Sequence, residues 1–136
     1  MVKKLSRVLG RVYDFALASS GINVTQFAVM RSLARHDGEP LARVADDLHM
    51  DRTSLYRAIA PMERDGWIES AAGMDARSRS VRITRKGTQV LRKAVAEWDQ
   101  LQHGLIKSFG KSEWSSLASE LNRLRQCAAE LESKQL

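Results

Sequence analysis

Gly66-Trp67-Ile68-Glu69-Ser70, the polar stretch from Gly73 through Arg79, and Ser80-Val81-Arg82-Ile83-Thr84 form the segment whose reading decides the fold. Gly66 stops a helix, Trp67–Ser70 has strand composition, Gly73–Arg79 is a turn, and Ser80–Thr84 alternates as a returning strand. This is a β-hairpin with a basic tip. Two short amphipathic segments run directly into it. Leu41, Val44, Ala45 and Leu48 share one face, the pattern breaks at His49-Met50, and Asp51 is a good N-cap. Leu55, Ala58, Ile59 and Met62 then share the next face. Two such helices with a tight turn make a helix-turn-helix, the first bracing the second for a DNA major groove. Small Ala45 permits their close approach. A helix-turn-helix alone arises by chance in many helical proteins; one followed at once by a basic hairpin has the order of a winged helix. Pro61, inside the second helix, cannot donate back to the carbonyl of Arg57, so some bending is expected there.

Moving outward toward the N-terminus, Leu5, Val8, Leu9, Val12, Phe15 and Ala16 recur at helical spacing among Lys3, Lys4, Arg7 and Arg11, and Ser19-Ser20-Gly21 ends that helix. A second helix is expected from Thr25 as N-cap, turning Phe27, Met30, Leu33 and Ala34 inward until His36-Asp37-Gly38. Pro40 opens the third. Beyond the hairpin the helical period returns at Lys86, with Val90, Leu91, Ala94, Val95, Trp98, Leu101, Leu105 and Ile106 facing one way. After Phe109-Gly110-Lys111, Ser112 is the expected cap of a last helix carrying Trp114, Leu117, Leu121, Leu124, Ala128 and Leu131. Their spacing of three and four is a coiled-coil-like seam, too short to stand alone. It must be buried against other helices of the chain, against a second chain, or both.

The expected fold class is therefore mainly α with a small β-hairpin wing. One domain, 1–136, comprises a winged helix-turn-helix lobe over 24–85 flanked by dimerisation helices over 1–20 and 86–136. Leu5, Val8, Leu9, Leu117, Leu121 and Leu124 are the candidate dimer-interface residues.

Composition narrows the function classes. With 43% apolar and 28% charged residues in 136, the chain is an ordinary folded one rather than a disordered one. No apolar run approaches the roughly 20 residues of a bilayer span, and the first residues do not read as a secretory leader, so no membrane partner and a cytoplasmic location are expected. The net charge is +6, and its distribution matters more than its size. From Asp75 to Lys93 the chain carries Arg77, Arg79, Arg82, Arg85, Lys86, Arg92 and Lys93 against that one acid, a run that coincides with the hairpin signal, which points to a polyanionic partner rather than a merely solvated face.

If Leu55, Ala58, Ile59 and Met62 are buried, Thr53, Arg57, Ala60 and Arg64 face the opposite way. In the recognition helix, 51–65, Arg52, Thr53, Ser54, Tyr56 and Arg57 are candidates for base-edge or phosphate contacts. Tyr56 is equally readable as a flanking core aromatic. In the wing, 73–80, Arg77 and Arg79 suit a narrow minor groove, with Asp75 as an intramolecular brace that orients an arginine. His36, His49 and His103 are scattered, and Cys127 has no second thiol, so no metal site is expected. No nucleophile elbow, phosphate loop or Cys-His pair is present, which leaves no basis for an enzyme or a cofactor.

Several linked motifs resemble the MarR family, the multiple antibiotic resistance regulators. They are Val24-Thr25-Gln26-Phe27-Ala28-Val29-Met30, Leu41-Ala42-Arg43-Val44-Ala45, Met50-Asp51-Arg52-Thr53-Ser54-Leu55 and Pro61-Met62-Glu63-Arg64-Asp65-Gly66-Trp67-Ile68. The most specific is Asp75-Ala76-Arg77-Ser78-Arg79-Ser80-Val81-Arg82-Ile83-Thr84-Arg85-Lys86-Gly87, which matches an Asp-x-Arg wing followed by a strand, Thr and Gly. The resemblance implies a homodimer built from N- and C-terminal helices and a sequence-specific transcriptional regulator of double-stranded DNA. It implies a pseudo-palindromic operator, a repressor released by a small aromatic effector, and Arg77 as the minor-groove residue. Tyr13, Phe15 and Trp98 could line such an effector's pocket or simply pack the core. The alternative function is a winged-helix protein-interaction module without sequence-specific DNA binding.

Overall fold

The structure, a computed structural model, describes residues 1–71 and 79–135. In chain order these form α1 (Val2–Leu17), a 3-10 turn (Ala18–Ser20), α2 (Val24–Arg35), α3 (Leu41–Asp47), α4 (Arg52–Arg64), β1 (Ile68–Ala71), β2 (Ser80–Ile83), α5 (Arg85–Phe109) and α6 (Lys111–Gln135). The mainly helical fold class with a two-stranded wing is the one read from the sequence. The chain divides into two compact units, Met1–Asp99 and Gln100–Leu136, with the boundary inside α5.

In the first unit, the core is built by α2, α3 and α4 under the hairpin. Met30, Leu33, Val44, Leu55, Ile59, Met62, Ile68 and Val81 are all buried, as are Leu17 from the end of α1 and Ala94 from α5. The helix ends explain why these segments start and stop where they do. Asn23, rather than Thr25, caps α2: its side chain accepts from the Gln26 amide while the Gln26 side chain accepts from the Asn23 amide. This reciprocal capping box satisfies two amides that a threonine two residues further on could not. Asp14 takes a third, accepting from the Val24 amide at 2.7 Å.

Two helices end alike. Gly66, at φ +75°, lets the Gly66 amide bond Glu63 and the Trp67 amide bond Met62. His49, at φ +51°, lets its own amide bond Asp46 and the Met50 amide bond Ala45. Both are left-handed caps of the Schellman type, and the second is the turn of the helix-turn-helix.

Strands β1 and β2 pair antiparallel, Ile68 with Ile83 and Ala71 with Ser80. Ser80 also bridges Pro40, where the Leu41 amide donates to the Arg79 carbonyl. The hairpin root is thus stitched to the start of α3. Thr84, just before α5, donates its hydroxyl to the Gly66 carbonyl at 2.6 Å and accepts from the Gly87 amide at 3.0 Å. A Cβ on Gly87 would stand 1.9 Å from the Trp67 carbonyl oxygen, so only glycine lets α5 start against the hairpin there.

Several sequence expectations shift. Ala34 is exposed, and Val29 and Ser32 are buried in its stead; the α2 stripe is rotated because Ser32 bonds Asp47 on α3. Helix α6 begins at Lys111 behind Gly110 (φ +112°), so Ser112 lies inside it, bonded to Glu113 rather than capping. Phe15 is 85% exposed, outside both the core and any pocket with Tyr13 and Trp98. Those two rings instead stack at 5.8 Å between centroids, and Trp98 stacks on Phe27 at 6.0 Å. Arg31 stands over the Phe27 and Trp98 rings, and burial pushes the Tyr13 phenol above its usual range.

At the end of α1, Glu97 from α5 accepts from the hydroxyls of Ser19 and Ser20, and Lys93 donates to the Ser19 carbonyl at 2.7 Å. Burial alone would raise the Glu97 carboxyl; the two hydroxyls and Lys93 outweigh it and hold the group below its usual range.

In the second unit, no side chain of α6 is buried. Leu117, Leu121, Leu124 and Leu131 are 37–62% exposed. Among the described residues no helix is long and apolar enough to cross a membrane.

Candidate nucleic-acid interface

Helix α4 starts on Asp51, whose carboxylate accepts from the Ser54 amide at 2.8 Å and from the Ser54 hydroxyl at 2.6 Å. The Ser54 hydroxyl, then its amide, hold the Asp51 carboxyl below its usual range. Ser54 is therefore committed as a donor to the cap, and what it offers outward is an acceptor. Leu55, Ile59 and Met62 anchor the helix from beneath. That burial turns Arg52, Thr53, Arg57, Ala60 and Arg64 to the surface, an outward face of three guanidiniums and one hydroxyl.

Tyr56 is 46% exposed, so it is not a core aromatic. It lines a cleft of about 20 Å³ with Leu41, Ala42, Arg52, Leu55 and Arg79. The cleft joins the starts of α3 and α4 to the hairpin root, bringing Arg52, Tyr56 and Arg79 to one place.

Arg79 is the residue whose setting the sequence did not disclose. Its Nη2 lies 2.6 Å from Glu63 Oε1 on α4 and 2.6 Å from Ser70 Oγ on β1. The Ser70 hydroxyl also donates to Glu63. Neither Glu63 nor Ser70 stood out in the sequence. The sequence offered Asp75 as the carboxylate brace for an arginine, and spacing could not select Glu63, 16 residues from Arg79. Asp75 and Arg77, with most of the wing 73–80, lie outside the described residues. Of the remaining cations, Arg82 sits 3.8 Å from Asp37 and Lys86 donates to the Asp65 carbonyl. Among the described residues no three His, Cys, Asp or Glu side chains come together as a metal site.

The dimer candidates Leu5 and Val8 are exposed on α1 and Leu9 is half-buried, while Leu117, Leu121 and Leu124 are exposed on α6.

Comparison with known proteins gives matches at two scales. The IclR helix-turn-helix domain profile matches residues 27–72, from within α2 to one residue past β1. The M. tuberculosis transcriptional regulator MosR, solved in complex with DNA, is 32% identical, with 95% of this chain and 93% of that one covered at a TM-score of 0.85. MarR itself is 20% identical with 98% and 94% covered, TM-score 0.77. The chain belongs to the MarR family of winged helix-turn-helix transcriptional regulators. The IclR match covers only the helix-turn-helix and its approach to the wing, an element shared between families, whereas the MarR-type likeness includes the flanking helices. The HTH-type transcriptional regulator BilQ of Clostridioides difficile (strain CD3) is 26% identical over 95 residues, 67% of this MarR-family chain and 62% of BilQ. The chain thus spans less than two thirds of that relative's length.

Proposed function

We propose that this chain binds double-stranded DNA as a homodimeric repressor, with α4 in the major groove and residues 73–80 in the minor groove of a pseudo-palindromic operator. The observation that carries the reading is the outward face of α4. Thr53, Arg57 and Arg64 are exposed on a helix pinned by buried Leu55, Ile59 and Met62, so side chains that can reach base edges are held on a rigid support. The 32%-identical MosR was solved with DNA, which supports the same use of the lobe here.

The dimer reading is supported by α6. Four exposed leucines on one helix cost solubility unless another surface covers them, and a second copy supplies a matching one. Two lobes related by a two-fold axis then read two half-sites of opposite sense. A dimer occupying both grooves blocks other proteins from that DNA, which is the physical ground for repression.

Release by a small aromatic acid is supported by the Tyr13–Trp98–Phe27 stack and the Arg31 cation over it. A ligand ring would have to part the stack, with its carboxylate beside Arg31. Adding benzoate or a hydroxybenzoate to the DNA complex should lower affinity; unchanged affinity at saturation removes this part of the reading.

The test of the whole is enrichment of duplexes from a random-sequence library, followed by titration of the best one at two salt concentrations. Wild type should bind a two-fold site with affinity falling linearly in log salt. Arg57→Ala and Arg77→Ala should each cost about 1–3 kcal/mol. If nothing is enriched at low salt, the protein-interaction reading replaces this one.

A further inference from the structure

We infer that Glu63 is a positioning residue for DNA recognition: through Arg79 and Ser70 it buckles the root of the wing to the recognition helix and fixes the offset between the two groove-reading elements. This rests on the DNA-binding reading above.

Three elements meet at one oxygen. Glu63 Oε1 on α4 receives the Ser70 hydroxyl from β1 and the Arg79 guanidinium from the residue before β2. Arg79 also reaches Ser70 Oγ, closing a triangle. Its main chain is tied separately, since its carbonyl accepts from the Leu41 amide at the start of α3. The two strand ends that bracket residues 72–78 are therefore both held to α4 by side chains, and one of them to α3 by backbone. Glu63 is itself fixed, because its carbonyl accepts from Gly66 in the left-handed cap that ends α4. The carboxylate and guanidinium are both partly exposed, so the pair is modest as a source of stability. Its value lies in direction: a short charge-assisted contact sets where the wing leaves the lobe relative to the helix axis.

An arginine on the wing would ordinarily be counted as a phosphate or minor-groove contact. The two roles separate cleanly. A phosphate contact contributes about 0.9 to the slope of log affinity against log salt, and removing Glu63 would free the arginine for DNA and tighten binding. A buckle contributes no counterion release, and removing either partner loosens the same joint.

The experiment uses the duplex that wild type enriches most from a random library, and the same duplex with one base pair inserted between the half-site and its flank. Glu63→Gln, Arg79→Gln and the double variant are titrated on both across a salt series. Each single variant is expected to bind the enriched duplex about tenfold more weakly, the double no more weakly than either single, with the wild-type salt slope retained and a smaller penalty for the insertion. Arg79→Gln lowering the slope by about one while Glu63→Gln binds as tightly as wild type or tighter overturns the inference and makes Arg79 a DNA contact. Additive losses in the double variant overturn it as well. Wild type enriching no duplex brings down the DNA-binding reading itself, an outcome distinct from both.

Discussion

The lobe and the last helix use leucine in opposite ways. In the lobe, Leu33 and Leu55 are sealed from solvent by residues of the same chain. In α6, leucines at equally regular helical spacing stand 37–62% exposed and no side chain is buried. Periodicity alone cannot tell these cases apart, because it reports only that a helix has an apolar face. What distinguishes them is supply: α2, α3, α4 and the hairpin offer one another complementary faces within about 60 residues, whereas the leucines of α6 stay exposed. The lobe is stabilised by folding, and on the proposed dimer reading the apolar row of α6 would be stabilised by association.

The largest expected effect tests the first half of that contrast. Leu33→Ala should cost about 3 kcal/mol, read as a lower urea midpoint that does not depend on protein concentration. A concentration-dependent loss would mean that the lobe, too, borrows its core from a partner. Leu121→Asp should weaken self-association by about 2 kcal/mol in sedimentation equilibrium while far-ultraviolet circular dichroism of the lobe is kept. If it unfolds the lobe instead, the two regions are one cooperative unit and the contrast fails.

The smallest effect is acid-side. Asp51 is held below its usual range by Ser54, so its cap contributes fully above the ordinary aspartate pKa, about 4. That contribution is lost as pH falls through the lower folded value. Asp51→Asn should flatten the stability profile there and leave its shape at neutral pH unchanged. A change in slope near pH 7 would assign the effect to another group.

The parts of the fold that were legible in the sequence are those governed by local rules. The buried faces of α3 and α4, the Asp51 cap and the Gly66 stop follow from spacing and from the few residues that tolerate each position. The misplacements turn on what spacing does not report: which side-chain partner a residue takes, and whether an apolar face is covered. Thr25 and Asn23 are both acceptable caps, and Gln26 decides between them. Ala34 and Ser32 border the same stripe, and Asp47 decides. Phe15 has the spacing of a core residue and is nevertheless exposed. At the candidate site, the outward placement of Thr53, Arg57, Ala60 and Arg64 was legible because facing opposite to a buried stripe is a rotation, not a contact. The Glu63–Ser70–Arg79 triangle was not, since it is made by three elements closing in space.

The close approach at Gly87 also offers a genetic handle. A methyl group there must displace the Trp67 carbonyl, and the strain of such an insertion is about 1–3 kcal/mol, a sizeable share of the roughly 5–15 kcal/mol that holds a domain together. Gly87→Ala should therefore behave as a temperature-sensitive allele, leaving every residue of the outward α4 face in place at low temperature and silencing the regulator on warming. Its target genes could then be followed through time after a temperature shift in a living culture, with no deletion strain.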